Sequence, residues 1–464
     1  MAHPLLPTLL ASLEVFRISV TRPGFEKLLV LFIGWVRTAG THAVTETLVA
    51  TGVAGKRHHE AFHRFFSRGT WSPDSFGLWL FNCIKRLLIP EAPIRIAIDD
   101  TLAPKKGQHV FGLGSHIDPV RSTVARKVFC FGHCWVLLAI VLPVPACRCT
   151  FALPILFRLY TNKKACDKKG LAYRKKTELA AELIRVFVSW TRDRRVELAV
   201  DSGYANETVI KDLPTTVVLF GAMRPDAVLT AAPAAPSRHR NGRPRVRGEV
   251  LPKPEALAKD ATQPWLTCEA NLYGRSKTVH YKTLVAQWYQ ACGVRMLRIV
   301  VVRVDAGRIG LRVFFCTDGA ITIRELLEGY AGRWTIEVCF RNLKQLFGFA
   351  DSSARTRAAV ERTAPFVGCM YSMLIVWFFQ HAHATSAALP PVRPWYPHKR
   401  GVAFADILRA AQRVLANVEV LDLLKPHKDL RETPPSAPPP TARHQAPRRA
   451  RPAAARRRRQ RLVA

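Results

Sequence analysis

Two short apolar runs, each followed at once by an aspartate, place the strongest constraint on how this chain can fold. Ile94–Ile98 (IRIAI) precedes Asp99, and Val196–Val200 (VELAV) precedes Asp201. Short apolar runs of this kind predict strands of a sheet. In an open α/β sheet the carboxyl ends of neighbouring strands form one edge, where ligands bind. The two aspartates are therefore candidates for a shared site, although an acid after a strand is also common as a turn former or helix N-cap.

The segments around these runs alternate between strand and helix patterns. Val128–Val141 and Phe151–Tyr160 read as two further strands, and the first is nearly all apolar, which predicts a buried strand. Lys176–Trp190 has helical periodicity. Three strands, a helix and a further strand are the order expected of a ribonuclease-H-like sheet. The expected fold class is therefore α/β, with a ribonuclease-H-like core.

Composition divides the chain into six expected regions. Residues 264–320 return to strand patterns, with Asp305-Ala306-Gly307 as a hairpin turn signal between the strands Met296–Val304 and Gly310–Cys316. The regions are a helical N-terminal DNA-binding region at 1–90, the first part of the ribonuclease-H-like core at 91–220, a loop and β-strand insertion at 221–320, core helices at 321–385, a C-terminal helical region at 386–430, and a disordered Pro/Arg-rich tail at 431–464.

The charge balance points to a polyanionic partner. Lys and Arg number 70 against 34 acids, which gives a formal charge of +36, so nucleic acid is the first candidate. Ribosomal and membrane-surface proteins share this property. The stretch His58–Trp71 mixes bases and aromatics, and it predicts either an amphipathic helix packed on the core or a helix that contacts DNA.

The sequence gives no sign of a membrane span, a secretory signal or a zinc site. The apolar runs 28–36, 135–147 and 368–379 are each shorter than the roughly 18 residues needed to cross a bilayer. The N-terminus lacks a basic segment followed by an apolar run. The 11 cysteines show no repeated CxxC spacing, which predicts reduced thiols in a cytosolic protein.

A third acid lies in the segment GYAGRWTIEVCFRNLKQLFG. If this segment is one helix that turns about 100° per residue, four polar residues share a stripe about 60° wide beside an apolar flank. The stripe consists of Tyr330, Arg333, Glu337 and Lys344. The alternative is an ordinary surface pair of Arg333 with Glu337. Two-metal phosphoryl transfer needs several carboxylates that converge on two cations about 4 Å apart, and Glu337 could join the two strand-end aspartates there.

These motifs resemble those of a known superfamily. The stripe reads Y-(2)-R-(3)-E-(6)-K, which matches without a gap the motif around the third carboxylate of insertion-sequence-four-type transposases, bacterial enzymes that cut and join DNA. IDDT at 98–101 and VDSGY at 200–204 resemble the first two acidic motifs. IDDTLAPKKG followed by a long apolar segment is most similar to the insertion-sequence-701 branch. The resemblance covers residues 60–380.

The resemblance implies a DDE transposase with a ribonuclease-H-like catalytic domain interrupted by a β-strand insertion. It implies two Mg²⁺ or Mn²⁺ ions held by Asp99, Asp201 and Glu337, with Tyr330, Arg333 and Lys344 on transposon-end phosphates. In the family the first acid is followed by one residue and then Thr, which selects Asp99. Asp100 stays an alternative, and strand alternation lets only one of the two face the site.

Further expectations concern DNA contacts and the form of the protein. Lys105, Lys106 and Arg224 are weaker candidates for DNA contacts, and solvated surface charge is the alternative for each. The expected partners are the terminal inverted repeats of the element and target DNA, bound by a homodimer in the bacterial cytoplasm. Two other hypotheses stay open, namely a catalytically inactive transposase-derived DNA-binding protein and an unrelated basic structural or RNA-binding protein.

The Arg-rich tail generates a first prediction. Arg456–Arg459 is a run of four arginines, and no acid follows Glu432. Cations that bind phosphates release counterions, so deleting residues 435–464 should flatten the dependence of log K on log salt concentration in a DNA-binding titration. An unchanged slope would contradict an electrostatic role for the tail.

Overall fold

The computed structural model describes residues 3–107, 109–144, 149–234, 245–303, 311–383, 394–395 and 401–425. Met1–Leu423 form one compact unit, and Leu424–Ala464 form a second, of which only the first two residues are described. The expected tail at 431–464 and the hairpin turn signal at Asp305-Ala306-Gly307 lie outside the described residues.

The described residues build one large mixed sheet. The strands are β1 (Ile94–Pro104), β2 (Gly114–Ile117), β3 (Phe129–Val144), β4 (Cys149–Tyr160), β5 (Val196–Val200), β6 (Val217–Met223), β7 (Leu229–Thr230), β8 (Val250–Leu251), β9 (Leu266–Leu272), β10 (Arg275–Gln287), β11 (Met296–Arg303) and β12 (Arg312–Cys316). Their order is β2-β3-β1-β5-β6-β12-β11-β10-β7-β8, with β4 also beside β3 and β9 also beside β10.

Helices flank this sheet on the described part of the chain. They are α1 (Leu6–Leu13), α2 (Arg22–Arg37), α3 (Val44–Ala50), α4 (Glu60–Ser67), α5 (Pro73–Ile84), α6 (Lys163–Lys169), α7 (Lys176–Thr191), α8 (Glu207–Ile210), α9 (Pro254–Lys259), α10 (Tyr289–Cys292), α11 (Ile323–Ala331), α12 (Trp334–Leu346), α13 (Arg357–Trp377), α14 (Phe404–Leu415) and α15 (Val420–Leu423). A 3₁₀-helix (Glu14–Ser19) follows α1, and a π-helix (Phe378–Ala382) continues α13.

The half of the sheet that carries both aspartates has the topology expected from the sequence. β1 pairs antiparallel with β3, and β3 pairs antiparallel with β4. β1 and β5 are parallel, as are β5 and β6, and α7 connects β4 to β5. This mixed α/β architecture is consistent with a ribonuclease-H-like core. It places the carboxyl end of β5 beside Ile98, so that Asp99, which lies inside β1, is next to Asp201.

The expected β-rich insertion is a continuation of the same sheet. The two strands predicted on either side of the hairpin turn are β11 and β12, and β12 pairs antiparallel with β6. β11 and β10 follow in the ladder. The stretch 221–255, expected to be a loop, also contains the short strands β7 and β8 among its described residues. Backbone hydrogen bonds therefore run without interruption from the core into the insertion.

The N-terminal helices pack against the core. Trp35 on α2 is fully buried, and its Nε1 donates to the backbone oxygen of Phe347, 3.0 Å away, just after α12. α4 lies within the stretch that the sequence marked as amphipathic, and Phe62, Phe65 and Phe66 are its buried residues. Packing of that stretch on the core is therefore confirmed, whereas contact of its exposed face with DNA stays a prediction.

α13 packs against both the sheet and the N-terminal helices. Together with the π-helix it forms a helix, Arg357–Ala382, that is long and apolar enough to cross a membrane by length and hydropathy. However, 94% of its most apolar window is buried inside the protein. α13 contacts β4, α4 and α5, so its apolar surface is covered as in the core helix of a globular domain.

Close approach of α5 to the sheet generates a second prediction. A Cβ atom added at Gly77 would lie 2.1 Å from the backbone oxygen of Ile155 on β4. Gly77→Ala should therefore lower the free energy of unfolding by about 1–3 kcal/mol, despite the gain in helix propensity of up to about 1 kcal/mol. Urea denaturation measures this. The control is Gly40→Ala, where an added Cβ meets no atom within 4 Å, and an equal loss in both variants would contradict the prediction.

Candidate active site

The strand that carries the first candidate acid continues beyond it. Asp99 and Asp100 lie inside β1, where both pair with residues of β3. On the other side of β1 the parallel strand β5 ends at Val200, which pairs with Ile98. Asp201 therefore begins a turn directly beside Asp99. The sequence correctly predicted that the two acids are neighbours, but only β5 ends at its aspartate.

A single guanidinium group connects Asp99 to Glu337. Arg333 precedes the first residue of α12, and its Nη1 donates to Asp99 Oδ2 at 2.9 Å. Its Nη2 donates to Glu337 Oε1 at 2.7 Å, one helical turn farther along. The Arg333 side chain is only 14% exposed. The first and third candidate acids thus lie on two sides of one buried cation.

The four residues of the expected stripe are divided between two helices. α11 ends at Ala331 and α12 starts at Trp334, so the prediction of one continuous helix was wrong. In the connecting turn the Arg333 N–H donates to Tyr330 O, an i−3 bond that is tighter than the α-helical i−4 bond. The shared polar stripe, which was predicted for one continuous helix, is therefore interrupted at this turn.

The cation of Arg333 does not fully compensate the burial of the Asp99 carboxylate. Burial, followed by the repulsion of the neighbouring Asp201, raises the pKa of the Asp99 carboxyl to about 7, even though Arg333 lowers it. An ordinary aspartate has a pKa near 4. One guanidinium shared between two carboxylates is thus not enough to keep Asp99 fully ionised at neutral pH.

Asp201 also forms the turn that the sequence left open as an alternative. Its Oδ1 accepts hydrogen bonds from the backbone N–H groups of Gly203 at 3.0 Å and Tyr204 at 3.2 Å. These bonds fix the direction of a half-buried carboxylate next to Asp99. The turn and a place in the site are therefore compatible for this residue.

Asp100 points to the other face of β1, as strand alternation requires. Its Oδ2 accepts from Lys176 Nζ at 2.6 Å and from Cys134 Sγ at 3.3 Å, and its Oδ1 accepts from the Tyr204 hydroxyl at 2.8 Å. Three donors thus satisfy this carboxylate. Asp99, rather than Asp100, lies on the side of Arg333.

The residues that hold Asp100 were not among the site residues predicted from the sequence. Tyr204 belongs to the VDSGY segment, and burial together with Asp100 raises its pKa well above the ordinary value. Lys176 is the first residue of α7. Nothing in the spacing of these residues indicated that a lysine 76 positions after Asp100 would meet it.

The two remaining residues of the motif lie on either side of Arg333 along the chain. The Tyr330 ring packs 4.5 Å from that of Phe314, and its centroid is 5.9 Å from the Arg333 guanidinium carbon. Lys344 is half-buried near the carboxyl end of α12. Burial lowers the pKa of Lys344, an effect opposed first by Asp118.

The weaker candidates for DNA contacts occupy different surroundings. Lys105 Nζ donates to the backbone oxygens of Ala350 and Ser352, and burial lowers its pKa to about 8. This amine ties β1 to the loop before α13, so Lys105 is engaged by the protein itself. Lys106 is exposed. Arg224 is 80% exposed and pairs with Asp226 at 2.7 Å.

The three acids do not form a ready metal centre. Within the described ranges no three His, Cys, Asp or Glu side chains converge as a group that could hold a metal ion. The physical reason is Arg333, which lies between Asp99 and Glu337. The donor chemistry still fits Mg²⁺ or Mn²⁺, because carboxylate oxygens are the ligands these hard cations prefer. The pKa of Asp99 is raised because the cation of Arg333 does not fully offset burial and the repulsion by Asp201, so an added cation would stabilise the ionised carboxylate.

A comparison with protein families decides the class of this protein. The family described as DDE superfamily endonuclease matches residues 20–287, more than half of the chain. The chain belongs to this family. Membership supports a nuclease or transposase activity in general and implies a DNA substrate. No curated protein matches the chain in sequence.

The extent of the match separates the candidate residues of this DDE endonuclease into two groups. The matched range contains Asp99 and Asp201 but ends 50 residues before Glu337. The case for Glu337 therefore depends on the motif in the sequence and on its contact with Arg333. The specific insertion-sequence branch stays a prediction.

The raised pKa of Asp99 generates a third prediction. The folded protein binds a proton on Asp99 more tightly than the unfolded chain does, so the free energy of unfolding falls as pH rises from about 4 to about 7. Asp99→Asn removes this titration and keeps an oxygen that accepts from Arg333. Relative to the parent, the variant should therefore gain up to about 4 kcal/mol between pH 4 and pH 8.

Urea denaturation in the presence of a metal chelator measures this gain. The matched control is Asp100→Asn, where Lys176 and Tyr204 already compensate the carboxylate. We expect no comparable gain for the control at high pH. A constant difference between Asp99→Asn and the parent across the pH range would show that Asp99 does not titrate near neutral pH.

Proposed function

We propose that the protein is the transposase of a bacterial insertion sequence. It binds the terminal inverted repeats of its element and catalyses metal-dependent strand cleavage and strand transfer. The observation that carries this proposal is the pairing of Asp99 and Glu337 through Arg333, next to Asp201. Membership of the DDE superfamily endonucleases supports DNA cleavage, and the pairing supports Glu337 as the third acid.

The carboxylates would serve as ligands of the metal ions. Asp99, Asp201 and Glu337 would hold two Mg²⁺ or Mn²⁺ ions, which when bound would activate the attacking oxygen and stabilise the leaving oxygen of a phosphodiester. Asp201 keeps its direction through the turn to Gly203 and Tyr204. Asp99 would lose its proton as positive charge arrives, since a nearby cation favours the ionised carboxyl.

Arg333 would change partners when DNA binds. A phosphate offers a guanidinium the same pair of acceptor oxygens that a carboxylate does. We therefore expect Arg333 to leave Glu337 for the scissile phosphate, which frees Glu337 as a ligand. Tyr330 packs beside the guanidinium and limits its movement. Lys344 lies seven residues, or about 10 Å, beyond Glu337 on α12, where it would contact the next phosphate.

The proposed reaction acts on both ends of the element. Water attacks the phosphodiester at each end of the element, and the freed 3′-hydroxyl then attacks target DNA. Cutting two ends together favours a homodimer on DNA. The net charge of +36 supplies the nonspecific attraction to duplex DNA. We place the protein in the bacterial cytoplasm, at the nucleoid.

A nicking assay tests the proposal. Purified parent protein should nick supercoiled plasmid DNA when Mg²⁺ or Mn²⁺ is present and should not do so in a chelator. Asp201→Ala and Glu337→Gln should each lower the nicking rate by at least about 100-fold, because each removes a proposed metal ligand. Thermal denaturation verifies that both variants are folded.

The control variant is Glu207→Gln, an exposed acid six positions after Asp201 whose partner is Lys211. It should nick as the parent does. If both triad variants cut like the parent, the assignment of the three acids is wrong. If the parent binds DNA but never nicks it, the protein is a catalytically inactive DNA-binding relative of a transposase.

A further inference from the structure

A hairpin with an internally hydrogen-bonded turn forms one end of the sheet. Residues 114–131, called here the arm, comprise β2, the first residues of β3 and the turn between them. Asp118 organises the turn: its backbone N–H donates to Val128 O at 2.8 Å, and its Oδ1 accepts from Val120 N at 2.9 Å. Ser122 Oγ accepts from Val128 N at 2.9 Å. The arm therefore has a defined shape.

One face of the arm is supported by the protein. Asn162 donates from Nδ2 to Ser115 O at 2.8 Å. His116 is buried, and its ring lies 5.7 Å from that of Tyr160. These contacts hold β2 against the end of β4 and the start of α6.

The other face of the arm is apolar and bare. Ile117 pairs with Phe129 and Ser115 pairs with Phe131 across β2 and β3, so these side chains point to the same side. Phe129 and Phe131 are 64% and 63% exposed, and Ile117 is 52% exposed. Two solvated phenyl rings on one strand are a costly surface for a free protein, and such patches usually mark a binding site.

The bare face lies on the side of β3 that also faces Asp99, beyond the buried side chains of His133 and Trp135. Alternation along β3 puts Phe129 and Phe131 on the same side as Leu137, the partner of Asp99. Leu137 lies six residues from Phe131, which corresponds to about 20 Å along the strand. The arm is thus about six base pairs of DNA from the candidate site, at 3.4 Å per pair.

Positive charge surrounds the bare face. Arg126 and Lys127 are exposed in the turn, and Arg121 is 74% exposed although it pairs with Asp118 at 3.6 Å. Cations that flank exposed aromatics are the composition of surfaces that hold phosphates and stack on bases.

We infer that the arm is a DNA wedge: Phe129, Phe131 and Ile117 pack against unstacked bases of DNA that extends from the candidate site, while Arg126 and Lys127 hold the flanking phosphates. This inference deepens the proposed function and rests on it. Apolar side chains that enter a duplex unstack base steps, which costs a few kcal/mol per step. DNA that is already unpaired avoids that cost and should bind more tightly.

Fluorescence anisotropy with two DNA probes tests the wedge. Both probes are duplexes of about 30 base pairs, and one of them carries three adjacent mismatches. The parent should bind the mismatched probe at least about tenfold more tightly than the paired one. The variant Phe129→Ser with Phe131→Ser should lose this preference to within about twofold. Its folding should be intact, because exposed substitutions change stability little.

Two further variants separate the apolar contribution from the electrostatic one. Arg126→Gln with Lys127→Gln should weaken binding of both probes and lower the salt slope by about two, at nearly one unit per phosphate contact. The control is Val250→Ser with Leu266→Ser, which alters exposed apolar residues of β8 and β9. This control should keep the preference of the parent.

The results of these binding assays test the wedge separately from the proposed transposase activity. Equal preference in the parent and the phenylalanine variant overturns the wedge, even if the parent nicks plasmid DNA. If that variant instead turns a dimer into a monomer without DNA and keeps the preference, the arm is a contact between two copies of the chain, and the wedge is wrong. A preference that the phenylalanine variant removes, in a parent that never nicks, supports the wedge and refutes the transposase.

Discussion

One guanidinium between a strand and a helix determines the arrangement of the candidate site. Arg333 reaches from the start of α12 to Asp99 on β1 and to Glu337 on its own helix. A buried ion pair of this kind adds little net stability, because desolvation offsets the attraction. Its effect is positional, since it brings a carboxylate of the helical layer to the place where Asp99, inside β1, lies beside Asp201 at the end of β5. Without it, the acids of the helix and the strand would only repel each other.

The dipeptide Asp99-Asp100 shows how one strand creates two opposite environments. Asp100 accepts hydrogen bonds from Lys176, Tyr204 and Cys134, and these three donors satisfy its carboxylate. Asp99 shares the guanidinium of Arg333 with Glu337, and the pKa of Asp99 rises because burial and Asp201 outweigh that cation. Asp99, Asp201 and Glu337 thus form a small acidic region in a protein whose net charge is +36. Such a region favours divalent cations while the rest of the molecule attracts DNA.

The sequence predicted the parts of this site that depend on local pattern. Strand periodicity located β1 and β5, and the order of elements predicted the parallel neighbours that bring Asp99 to Asp201. It could not predict that a single bridging side chain would separate the acids, because pairing of Arg333 with Asp99 joins residues 234 positions apart. Helical periodicity also failed just after Gly332, where the N–H groups of Arg333, Thr335 and Ile336 form i−3 bonds in place of i−4 bonds. The engagement of Lys105 by backbone oxygens was likewise invisible, since charge alone does not reveal burial.

The continuous ladder from β6 into β12 has a mechanical consequence. A separate module joined by loops could swing over its substrate as a lid. Here such a swing would break the antiparallel pairing of Phe220–Met223 with Val313–Cys316, and the strands beyond β12 would have to move with them. The insertion is therefore as stiff as the sheet that carries Asp99 and Asp201. Adjustment to a bound duplex has to come from side chains such as Arg333 and from bending of the nucleic acid.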